Sequence, residues 1–259
     1  MTVEDVAKDL LCSASKVSRM ETGQRAVTPR DIRDLCALYQ VTDPDQREHL
    51  ATLAKDGRGS AWWQPYDLPY ATYVGLEAEA THISDYEPGV VPGLLQTPDY
   101  ARAIHEGGIP RLNEKVIDQR IQVLQNRQAI LTRADPPPPQ FRAVIDEAVL
   151  HRVIGGPAVM SAALHRVIQA SELPNVTVQV LAYDAGAHPA LDSTFILLEF
   201  TDPVPTVVYV EGLVGQLYLE RHQDVERYEQ IFKRLQTISC SEQESVDLMT
   251  KVGTAYKRF

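Results

Sequence analysis

Two hydroxyls and two cations fall within five consecutive residues near the N-terminus: Ser15, Lys16, Ser18 and Arg19. On a short helix they share an outer face whose chemistry suits a DNA major groove. Arginine and lysine bridge guanine O6 and N7, and serine hydroxyls either donate or accept. The same stripe also fits the solvated face of a small helical bundle. A second constellation lies farther along. Arg120 and Arg127 stand one heptad apart between two apolar stripes, Ile117, Ile121, Leu124 and Leu131 on one side and Val116, Val123 and Ile130 on the other. Guanidiniums framed by apolar surface require carboxylates or an anionic ligand, because burying them unpaired is costly. Asp146, Glu147 and Glu211, each near the end of a predicted strand, are the candidate carboxylates. The set reads as an internal ion-pair network or as a pocket for a small ligand or a partner.

Other chemistry finds little footing. None of the seven histidines shows an HExxH or related ligand spacing, so no metal is expected. No phosphate loop, dinucleotide fingerprint or GxSxG elbow is present, and no cofactor is expected. His188 sits in AYDAGAHPA after a predicted strand. A hydrolase built on Glu147, Glu211 and His188 is the weakest reading, against a structural role for that histidine. The chain is expected not to be an enzyme, with no catalytic residue assigned. Trp62 and Trp63, with Pro65 and Tyr66, read as packing a linker onto a larger domain.

The elements that must hold the first stripe are short and well capped. Thr2 precedes VEDVAKDL as an N-cap, with Glu4 and Asp5 in the first turn and Val3, Val6, Ala7 and Leu10 on one face. Ser13 opens a second helix whose apolar side is Val17 and Met20 and whose stop is Gly23. Two short helices joined by a tight turn make a helix-turn-helix. Thr28-Pro29 and Asp43-Pro44 begin two more helices, the first with Ile32, Leu35, Cys36 and Tyr39 on one face and the second running through Leu50 and Leu53.

The formal net charge is −10, which opposes simple coating of nucleic acid. Residues 1–40 are balanced, with six basic and six acidic side chains, so the whole excess lies in residues 41–259. Three widely spaced cysteines suit a reducing cytoplasm. No apolar run is long enough to span a membrane and no leader is evident, so a cytoplasmic location away from membranes is expected. Residues 1–55 read as the helix-turn-helix domain, 56–61 as a polar glycine-containing linker and 62–259 as an α+β domain with a mixed sheet. In that domain residues 76–86, 98–106, 114–133, 147–171 (as two helices) and 224–238 read as helical. FRAVI, VTVQVL, STFILLEF and TVVYVE read as strands, the third central because it is apolar on both alternating sets. Pro136–Pro139 reads as a stiff connector. Ser241 and Glu244 form a capping box opening a last helix.

The stretch VEDVAKDLLCSASKVSRMETGQRAVTPRDIRDLCALYQV resembles the XRE-type helix-turn-helix family, related to phage repressors. The resemblance implies that residues 13–21 are the recognition helix, that Ala14, Ser15, Lys16, Ser18 and Arg19 face bases, and that Arg25 and Thr28 lie near phosphates. Glu21 would hold the fold. The family pattern has an extra helix before the one at Thr2, and its absence here implies lost apolar cover over Val6 and Leu10. GVVPGLLQTPDYARAI, Arg127-Gln128, VIDEAVLHRVIGG, LPNVTVQVLAYDAGAH, FILLEF and VVYVEG resemble a domain of undefined activity that follows such segments in many actinobacterial regulators, the Scr1-like, antitoxin-like group. That likeness implies a transcriptional regulator of double-stranded DNA, often encoded beside a small partner protein. An antitoxin-like role, with DNA binding autoregulatory, is the alternative. A charge-balanced reading head binds weakly as one copy, so a two-fold homodimer is expected.

Overall fold

A computed structural model describes residues 1–21, 25, 27–56, 62–66, 68–213 and 215–257. The helix stop assigned to Gly23 and the predicted linker beyond Asp56 lie outside the described residues. The chain divides into two compact units, residues 1–72 and 73–259.

The first unit is helical: α1 (Val3–Asp9), α2 (Ala14–Glu21), α3 (Pro29–Leu38) and α4 (Pro44–Asp56). Local chemistry sets most of the boundaries. Thr2 caps α1 and Thr28 caps α3, each in a reciprocal box with an aspartate three residues on. Ser13 Oγ accepts from the Lys16 amide and starts α2. Val6, Ala7, Val17 and Met20 form the core, with Leu10, Ala14, Val27, Leu35 and Leu38 half-buried around it. The expected loss of apolar cover over Val6 and Leu10 does not occur. Val6 is only 1% exposed and Leu10 packs on the same cluster, because α2 folds back across α1. Tyr39, expected on the buried face of α3, is an exposed C-cap residue.

The second unit begins within α5 (Ala71–Glu79) and is built on one six-stranded sheet. Its strands are β1 (His82–Glu87), β2 (Gln140–Asp146), β3 (Val176–Leu181), β4 (Phe195–Glu199), β5 (Val207–Gly212) and β6 (Gly215–Leu219). The order is β3-β2-β1-β4-β5-β6, with β1, β2 and β3 parallel and the remaining neighbours antiparallel. β4, the apolar FILLE strand, is interior as its pattern predicts. Helices α6 (Pro98–Glu106), α7 (Glu114–Gln128), α8 (Glu147–His151), α9 (Pro157–Ser171), α10 (His222–Ile238) and α11 (Glu242–Tyr256) complete the unit. Val225, Phe232 and Leu235 of α10 cover the face that carries Tyr86, Val144, Leu197 and Val208. The opposite face carries Ala143, Asp85, Ile196 and Tyr209 in one row across four strands. Tyr73 of α5 lies on that row, its ring stacked on Tyr209 at 4.4 Å.

Two elements differ from expectation. Residues 82–87 are a strand, where a helix through residue 86 was expected. β1 is buried on both faces yet carries Ser84 and Asp85 inside, so its polar residues erase the two-residue alternation that marks a strand. β6 was not expected at all, because its five residues are half-exposed or exposed and lie at the sheet edge.

The turn between α1 and α2 has one costly feature. Leu11 adopts φ 49° and is 94% exposed, so a β-carbon sits in the left-handed region with no packing in return. Leu11→Gly should raise the stability of the first unit by about 1 kcal/mol, read as slower exchange of α1 and α2 amides. Leu11→Ala should leave that exchange nearly unchanged, since it keeps the β-carbon.

Candidate functional site

In α2 the capped start and the buried Val17 and Met20 fix which side chains face outward. Ser15, Ser18 and Arg19 are exposed, and Arg25 is exposed beyond the helix. Arg19 Nε donates to the Ser15 carbonyl at 3.2 Å, which lays the guanidinium along the helix. The Arg25 amide donates to the Arg19 carbonyl at 2.9 Å, so both arginines are anchored at the same end of α2.

Two residues expected at this face, Lys16 and Ala14, turn inward, and Thr28, expected near phosphates, takes the capping role its place before Pro29 predicts. Lys16 Nζ lies 2.6 Å from Asp31 Oδ1, and both side chains are largely covered. Thr28 is the N-cap of α3: its hydroxyl donates to Asp31 Oδ2 and accepts from the Asp31 amide. Burial works against the ionised Asp31 carboxyl, but hydrogen bonds from Lys16 and Thr28 outweigh it and hold its pKa down at about 2. Ala14 is half-buried on the core. Lys16 and Thr28 therefore tie α2 to the start of α3, and Ala14 supports the helix from beneath. Glu21, expected to hold the fold, is exposed.

The second cluster is buried in the larger unit. Arg127 meets Glu77 in a two-toothed pair, Nε to Oε2 at 2.6 Å and Nη2 to Oε1 at 2.8 Å, with side chains 13% and 1% exposed. Tyr73 Oη donates to Glu77 Oε1 at 2.6 Å, and the Arg127 guanidinium lies over the Tyr73 ring at 5.1 Å. Gly93 makes room: a β-carbon there would lie 3.2 Å from Arg127 Nη2. Gln128 donates to the carbonyls of Gly93 and Gln96, fixing the same turn against α7.

Asp85 of β1 is 3% exposed, and its Oδ1 has no hydrogen-bond partner among the described residues. Burial, reinforced by the charge of Glu77 and only partly opposed by Arg127, pushes its pKa up to about 7.

The carboxylates expected to meet the arginines do other work. Asp146 Oδ1 caps α8 by accepting from the Ala148 amide at 2.8 Å. Glu147 accepts from the Tyr183 amide at 2.8 Å and lies 3.3 Å from His151 Nε2. Glu211 is exposed on β5. Arg120 is half-buried with no ion pair among the described residues, so the two arginines do not form one site. Its charge adds to burial in lowering the pKa of His105. Glu77 was missed, although Tyr73 and Glu77 stand at the i, i+4 spacing of helical neighbours. His188 accepts from the Ala190 amide and meets Tyr86 edge-on, and no hydrogen bond or ion pair joins it to Glu147 or Glu211 among the described residues. No group of three histidine, cysteine, aspartate or glutamate side chains among the described residues is arranged to hold a metal ion. No described helix is long and apolar enough to cross a membrane.

Comparison with known families gives two matches. Residues 70–251 match a domain of unknown function (DUF5753), and residues 1–50 match a helix-turn-helix domain. No curated protein and no solved structure matches the chain.

The buried cluster has opposite consequences for its two halves. Arg127→Ala strands the Glu77 charge and should cost the larger unit about 3–5 kcal/mol by denaturant unfolding. Asp85 binds its proton more tightly in the folded state than in the unfolded chain. Its contribution is thus fully present below about pH 4 and is lost as pH rises through about 7. Asp85→Asn should therefore raise stability at pH 8 by about 2 kcal/mol and change it little near pH 4. Parallel pH profiles for the two proteins would show that Asp85 stays ionised when folded.

Proposed function

The chain belongs to the DUF5753 family, and from that premise we propose that it is a sequence-specific DNA-binding transcriptional regulator whose larger unit receives a signal. The observation that carries the reading is the exposed set Ser15, Ser18 and Arg19 on one short, well-braced helix, with Arg25 exposed just beyond its end, in a unit matched as helix-turn-helix. The helix is held from behind by Lys16–Asp31 and by the Thr28 cap, so its outer side chains are pre-oriented for a groove. Arg19 supplies two guanidinium nitrogens suited to guanine, with the serines beside it, and Arg25 supplies charge toward a phosphate.

The larger unit carries the acidic excess and repels phosphates, so its role lies elsewhere. In this proposal it binds a small partner protein or a small ligand, in an antitoxin-like manner, and is not an enzyme. The protein works in the cytoplasm as a homodimer that reads two half-sites about one helical turn apart.

A footprint on the protein's own promoter region, followed by titrations at several salt concentrations, tests the reading. Arg19→Ala should lose about 1–3 kcal/mol on the cognate site and relax preference at one base position. Arg25→Ala should weaken all sequences alike and lower the salt slope by about one. Lys16→Ala should destabilise the first unit by about 1 kcal/mol and leave base preference intact. Equal, sequence-independent losses for Arg19 and Arg25 would remove α2 as the reading helix.

A further inference from the structure

The sheet ends differently at its two edges. At β3 the Cys240 amide donates to the Val180 carbonyl at 2.9 Å, and the Val180 amide donates to Ser245 Oγ at 2.8 Å. The Gln179 side chain beside them reaches the carbonyls of Gln236 and Cys240. That edge is closed by the α10–α11 junction. At β6 no described residue pairs with the outer side. Its five residues, Gly-Gln-Leu-Tyr-Leu, carry neither charge nor proline, the usual means of blunting an edge. Leu217, at the middle of the strand, is 61% exposed, and Leu213 just before it is fully exposed. An open, neutral edge with exposed leucines is a pairing surface, and its unpaired backbone groups call for another strand.

We infer that β6 is a dimerisation edge, occupied by β6 of a second copy in antiparallel, two-fold pairing. This rests on the homodimer in the reading above and names its contact surface. The strand is self-complementary. Full antiparallel overlap sets Leu217 opposite Leu217 of the copy, Gln216 opposite Tyr218 and Gly215 opposite Leu219. An odd number of residues leaves one on the axis, and that one is the exposed leucine. Directly opposed β-carbons approach within about 5.5 Å, so the two leucines cover each other. Each chain carries −10, yet the neutral strand puts no like charges opposite one another. Pairing continues one six-stranded sheet into the next and closes on itself, as isologous contacts do. A five-residue edge buries less than the roughly 1,200 Å² of a standard interface. The dimer is therefore weak in free solution and is reinforced when two reading heads engage one DNA.

The test uses the full chain without DNA, by sedimentation across a wide concentration range and by cross-linking. The substitution L217C should form a disulfide-linked dimer under mild oxidation far faster than wild type or L191C, whose leucine is equally exposed but lies in a turn away from this edge. L217K sets two like charges on the axis and should weaken self-association by about tenfold or more. Both variants should keep wild-type melting, since the side chain is exposed. A wild-type chain that stays monomeric throughout, L217C cross-linking no faster than L191C, or self-association untouched by L217K would each overturn the inference. If L217K alone fails to fold, the L217C rate decides. Neither measurement involves DNA. A β6 dimer that protects no DNA sequence would therefore sink the regulator reading and leave this contact standing.

Discussion

The larger unit is organised around one buried cation. Arg127 projects from α7 into the space between α5, the short turn at residues 93–95 and the sheet, and Glu77 answers it with both oxygens. Around that pair the side chains are committed in sequence. Tyr73 bonds the carboxylate, its ring carries the guanidinium on one contact and meets Tyr209 in a stack, and Gly93 and Gln128 fit the turn beneath. A single ion pair thus fixes two helices, one turn and one row of the sheet in mutual register. Pairs of this kind seldom exceed a well-packed apolar replacement in stability, but they tolerate very few alternative arrangements. Glu77 takes the guanidinium, and the second buried carboxyl, Asp85, feels its charge but has no hydrogen bond on Oδ1 among the described residues. Burial on β1 favours its neutral, protonated form.

The first unit solves a smaller version of the same problem. A short helix has to present polar groups outward without its own long core to brace it. The solution uses one aspartate twice. Asp31 completes the capping box of α3 and also receives the Lys16 ammonium, so the start of α3 and the flank of α2 are locked at one carboxylate. The serines and arginines outside then move with a helix whose orientation is set from two sides.

Much of this was legible in the residues. Helix starts were read correctly where a small polar side chain was seen before the helix, at Thr2, Ser13, Thr28 and Ser241, because capping is a local interaction between neighbours in sequence. The burial of Arg127 also followed from its two apolar flanks. Its partner did not, because Glu77 lies fifty positions away and local spacing carries no information about which helix packs against which. β1 escaped for a related reason: an interior strand with Ser84 and Asp85 inside contradicts the rule that polar residues face out. Lys16 was assigned to the reading face because side-chain type alone does not distinguish a cation that meets a base from one that meets the next helix. The XRE-type resemblance supplied the register of α2 but not the fate of each side chain on it.

The closed edge of β3 has a consequence for the order in which the protein is made. Val180 waits for Ser245, sixty-five positions later in the chain, before its amide is satisfied. A ribosome adding roughly 5–20 residues per second needs several seconds to cover that distance. Throughout that interval the strand carries a bare row of backbone donors and acceptors while β1 and β2 are already available to pair beside it. Nascent chains crowded on one messenger could join at that row, since an open strand accepts a neighbour's as readily as its own. The last two helices therefore act as the seal on a surface that is exposed only during synthesis, and slow decoding between residues 180 and 245 would lengthen the exposure without altering the finished fold.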